Sequence, residues 1–90
     1  MPRFVEFAKQ VVAKHLKAGA PRERAFAKAK TPPFKAIVEY DQRIEEILER
    51  FDNNPPEPWK AHIGHLIERK GDERELIQDI EELEAGGFGK

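Results

Sequence analysis

Across residues 37–51 the apolar side chains Ile37, Tyr40, Ile44, Ile47, Leu48 and Phe51 recur at steps of one, three and four. Such steps return side chains to one face of an α-helix, whereas a half-buried strand needs strict alternation. No convincing alternating run occurs anywhere in the 90 residues, so the chain reads as all-α. The same spacing predicts a first helix over residues 3–17, with Phe4, Ala8, Val11 and His15 on its inner stripe and Gly19 as its stop. A short second helix is expected over residues 21–29, from Pro21 through Phe26 to Ala29. Thr31-Pro32-Pro33 is expected to end it, because a residue before proline is pushed out of the α region. The longest helix follows over residues 34–51.

Three prolines among residues 55–58 make residues 52–58 a turn. A fourth helix is expected over residues 58–69, with Trp59, Ile63, Leu66 and Ile67 on its apolar face and Gly71 as its stop. Asp72 and Glu75 resemble a capping box opening a fifth, lined by Leu76, Ile77, Ile80 and Leu83. Residues 86–90, which include three glycines, read as a frayed end. The expected architecture is one domain over residues 1–90: a small compact bundle of four to five helices around the long helix 34–51, its core closed by Trp59, Ile63, Leu66, Ile77 and Ile80.

With no cysteine, the fold rests on packing alone, with neither disulfide nor thiolate metal site. No segment approaches the roughly 20 apolar residues of a membrane span, and residues 1–6 lack a signal-peptide core, so a soluble cytoplasmic protein without membrane contact is expected.

The net charge of −1 hides a polar split. Residues 1–36 hold nine Lys/Arg against two acids, a net +7, and residues 37–90 hold seven against fifteen, a net −8. A field with two poles draws a polyanion to one end, joins copies head to tail, or cancels when the halves pack together. The basic part points to nucleic acid, DNA or RNA, because neutralising phosphates releases counterions whatever the base sequence. Arg22, Arg24, Lys28, Lys30 and Lys35 are the candidate phosphate ligands, Arg24 and Lys28 sharing a helix face. Two helices joined at Gly19-Ala20, followed by the Thr-Pro-Pro break and a longer helix, resemble a helix-turn-helix arrangement.

The acidic half is assigned to protein contact, with another copy or a larger assembly. Glu81, Glu82 and Glu84 sit where a helix dipole disfavours them unless a basic partner offsets the cost: the first helix of the same chain, another copy or a foreign basic protein. Two modes of self-association are open: a heterologous contact between the poles, or a two-fold dimer through a seam of Leu76, Ile80 and Leu83. A rival function is a protein-interaction module, adaptor or inhibitor, that binds no nucleic acid.

His62-Ile63-Gly64-His65 spells a signature of class I aminoacyl-tRNA synthetases, but in those enzymes it follows a strand of a parallel sheet, and this chain offers no strand. His62, His65 and Glu68 stand at three-residue steps compatible with a metal, yet each step drifts about 60° around the helix and no fourth ligand is evident. They are read as exposed residues flanking an apolar face. No paired carboxylates or nucleophilic set can be picked out, so no enzyme activity, metal or cofactor is expected.

Overall fold

In the computed structural model, which describes residues 3–90, the chain forms three helices, and there is no strand among the described residues. They are α1 (Val5–Lys17), α2 (Arg22–Arg50) and α3 (Trp59–Ala85). Met1 and Pro2, where the expected domain begins, lie outside the described residues. The all-helical class therefore stands, but the count of four to five helices is corrected to three.

Both corrections concern helix stops that do not stop. α2 runs unbroken through Pro32 and Pro33, joining the expected second and third helices. Each proline removes one backbone donor. The helix continues through both, with Pro33 buried on the same side of α2 as Tyr40 and Ile47. Gly71 likewise keeps a helical φ inside α3, where glycine costs only about 1 kcal/mol relative to alanine. The expected capping box at Asp72 and Glu75 does not form. Both carboxylates instead face Arg3, at 3.0 and 3.8 Å.

The real helix ends share one device. Gly19 follows α1 with φ 98°, and the Ala20 N–H donates to the His15 carbonyl (3.1 Å) while the Gly19 N–H donates to Leu16 (3.0 Å). Gly87 ends α3 in the same way at φ 88°, with the Phe88 N–H on the Leu83 carbonyl (3.0 Å). This left-handed closure satisfies carbonyls that a helix end leaves orphaned. At the end of α2 the left-handed position falls to Asp52 (φ 54°), followed by Asn53 (φ 63°), the residue types that tolerate it best after glycine. The expected frayed end is thus a folded one: Phe88 packs on the core, and a Cβ at Gly89 would stand 3.0 Å from a Leu16 methyl.

α2 runs antiparallel to α3, and α1 lies against both at the end holding the two Gly closures. There Ala8, Val12, Ala25, Phe26, Ala29 and Ile80 form the core, with Phe26, Val12 and Ile80 its largest fully buried side chains. Small alanines on α1 and α2 let the helices approach closely around the Phe26 ring. Asp79, also buried, accepts the Phe4 N–H (3.0 Å) and so supplies from α3 the N-terminal cap that α1 lacks in its own sequence.

Beyond this three-helix end, the outer parts of α2 and α3 project as a two-helix arm. The molecule measures 50 × 25 × 17 Å. Along the arm Ile47 and Leu66 are buried, while Ile37, Tyr40, Ile44, Leu48, Phe51, Trp59 and Ile63 are only half-buried. The tip is closed by Phe51 against Trp59, ring centroids 5.7 Å apart. Asp41 and Lys70 pair across the arm at 2.6 Å.

Glu73 lies on the row of α3 that faces α2, between Lys70 and Ile77 at helical steps. Burial, with a smaller push from the Asp72 charge, raises its carboxyl above the ordinary value of 4.5. The folded state therefore holds this proton more tightly than the unfolded one, so the associated stability is present below pH 4.5 and is lost as the pH rises through the raised value. Glu73→Gln is expected to raise the melting temperature at pH 7, the gain shrinking as the pH falls into the carboxylate range. Thermal melts of both proteins across that range check it.

Candidate nucleic-acid interface

The structure divides the five candidate phosphate ligands into two groups. Arg22 is half-buried at the end of α3, where its guanidinium donates to the Glu84 carbonyl and, at 3.2 Å, to the Phe88 carbonyl, and lies 5.0 Å over the Phe26 ring. Lys30 is 3.6 Å from the Glu84 carboxylate. These two cations sit at the negative end of the α3 dipole and among its terminal acids, which answers the local cost of Glu84 within one chain. The basic partner is α2, not α1.

Arg24, Lys28 and Lys35 are different. They are exposed, and among the described residues none has an ion-pair partner within 4.0 Å. Positions four and eleven apart fall within about 40° of one line on a helix, so the three make a ridge along the outer face of α2 about 16 Å long. The unbroken passage through Pro32 and Pro33 is what puts Lys35 in line with the other two. Lys14 and Lys17, in the last turn of α1, stand at the same end of the molecule and are likewise free of ion pairs among the described residues.

A second group of cations lies in the half that the sequence marks as acidic. Arg43, His62 and Arg69, together with Glu39 and Glu46, line a hollow of about 390 Å³ between α2 and α3. Arg50 continues the line to the tip, its guanidinium 5.8 Å from both the Phe51 and Trp59 rings. His62 meets Trp59 edge-on at 6.2 Å. Arg43 and Arg50, like His62 and Arg69, are seven residues apart. That spacing, repeated on two helices joined by a turn, was the sequence signal for this groove, and net charge over the whole half concealed it.

His65 turns the other way, 4.0 Å from Glu68. Among the described residues no three His, Asp or Glu side chains converge as metal ligands. No described helix is long and apolar enough to cross a membrane. The proposed seam of Leu76, Ile80 and Leu83 faces inward: Ile80 has no exposed surface, and Leu76 and Leu83 pack around it against α1 and α2. It is corrected to part of the fold's own core. No family model, curated protein or solved structure matches the chain.

Proposed function

We propose that this protein is a small accessory nucleic-acid-binding protein, a binder rather than a catalyst, that holds phosphates along the Arg24–Lys28–Lys35 ridge of α2. The observation that carries this reading is that three aligned cations of α2 remain without an ion pair among the described residues, while Arg3, Arg22 and Lys30 are drawn into contacts with α3. Intramolecular neutralisation of the two charge poles is therefore incomplete, and what it leaves on α2 is a line rather than a scatter. A line of cations matches the regular charge spacing of a nucleic-acid strand. The half-buried Trp59 beside Arg50 and Arg43 adds a ring and cations of the kind that hold unstacked bases, so single strands are favoured over duplex as the ligand.

Fluorescence polarisation with single-stranded and duplex probes of DNA and RNA tests this. Affinity should fall steeply with salt, and Arg24→Ala, Lys28→Ala and Lys35→Ala should each shallow the log–log salt slope by up to about one unit. Lys14→Ala offers a comparison at the rim of the surface. Absence of binding to every probe at low salt would refute the function. In that case the rival reading, a protein-interaction module, is favoured by Phe34, Val38 and Ile67, each more than half exposed on the arm.

A further inference from the structure

We infer that the arm is half of an interface, and that its partner is a second copy of this chain, giving a two-fold dimer in which α2 of each copy packs against α3 of the other. The inference does not rest on nucleic-acid binding: it concerns the face of the arm opposite the Arg43 groove, which Lys35 of the ridge borders beside Phe34 and Val38. Asp41 and Arg43 stand about 200° apart on α2, so the Asp41–Lys70 pair marks the face away from the Arg43 groove.

Area is the first argument. A compact monomer of 10.4 kDa exposes about 5,400 Å². This chain exposes 6537 Å². The excess of about 1,100 Å² exceeds the roughly 800 Å² that each partner contributes to a standard interface. The radius of gyration agrees: it is 16.3 Å, against about 12 Å for a compact chain of this length. Two helices alone cannot enclose a core, and the half-buried row from Ile37 to Ile63 lacks the covering layer that bundles supply.

The chemistry of the face is the second. On α2, Phe34, Asp41 and Leu48 follow one another at seven-residue steps, the spacing of a helix-packing seam, with Val38 and Glu45 alongside. On α3 the corresponding row is Lys60, Ile63, Ile67, Lys70 and Arg74. Phe34, Val38 and Ile67 are 51, 55 and 56% exposed. The α2 row is apolar and acidic, and the α3 row is apolar and basic. A two-fold axis along the arm sets each α2 row against the partner's α3 row and keeps like rows diagonal, so one surface is complementary to itself in both shape class and charge. α1 does not obstruct it, because α1 covers the Leu76 and Leu83 side of α3, nearly half a turn from Arg74.

Sedimentation equilibrium at about 1–100 μM should give twice the mass of 10.4 kDa at the upper concentrations. Val38→Glu and Ile67→Glu should each weaken the dimer by about tenfold or more, with helical content by circular dichroism unchanged, since both side chains are exposed in the single chain. Arg74→Glu, which brings acid near the partner's Asp41, should weaken it as well. Phe7→Glu, an equally exposed apolar position on α1, should leave it intact. A protein that stays monomeric throughout overturns the proposal and leaves the face to a foreign helix. A dimer indifferent to Val38→Glu and Ile67→Glu, or as sensitive to Phe7→Glu, also overturns it.

Discussion

Phe26→Ala should destabilise the protein by about 3–5 kcal/mol, read as a lower midpoint in urea unfolding. The ring is the largest fully buried side chain, and it touches the core from the middle of all three helices. Its removal opens a cavity walled by Ala25, Ala29, Val12 and Ile80, side chains too short or too constrained to collapse into it. A domain of this size has about 5–10 kcal/mol in total, so the variant should be substantially unfolded at physiological temperature. Ile44→Ala on the arm should cost visibly less, because that side chain is only half-buried to begin with. If Phe26→Ala melts like the parent, the core is not where the structure puts it.

Asp79→Ala should cost about 1–3 kcal/mol and act first on α1. The substitution removes the acceptor of the Phe4 N–H and the negative charge at the positive end of the α1 dipole together. Asp79→Asn, which keeps an acceptor but not the charge, should recover part of the loss. Hydrogen exchange locates the effect: amides of α1 should lose protection before those of α2 and α3. Uniform loss across the three helices would mean that α1 does not depend on this carboxylate.

Much of the fold was legible because helical periodicity is a local property. The stripe through Ile44 and Ile47, the turn before Trp59 and the stop at Gly19 all follow from residues within a few positions of one another. The helix count was not legible, because Pro32, Pro33 and Gly71 are interrupted or continued according to what packs on them, and the partners lie on other helices. Phe26 read as an aromatic among cations. Only Ala8 and Val12 of α1, brought against it by the turn at Gly19, and Ile80 of α3 make it the centre of the core. The candidate site was legible in composition and not in arrangement. Arg22 and Lys30 looked like phosphate ligands, but the end of α3 claims them, while Arg24, Lys28 and Lys35 need an uninterrupted α2 to form a line. The Arg43 groove was hidden because its lining mixes Arg43 and Arg69 with Glu39 and Glu46, and only the pairing of two helices brings them together.

The cap on α1 also sets an order of events during synthesis. Phe4 waits for a carboxylate 75 positions downstream, and Ala8 and Val12 wait for Ile80. While the ribosome is still making α3, α1 has neither its cap nor its third wall. Since an isolated helix of 13 residues is marginal in water, the stretch emerges as a largely unstructured basic, apolar segment. α2 and α3, neighbours in sequence, can pair first, and α1 then closes on them as the last residues of α3 leave the tunnel. A released chain truncated just before Ile80 should accordingly be cut by protease within α1 while its long hairpin is already resistant.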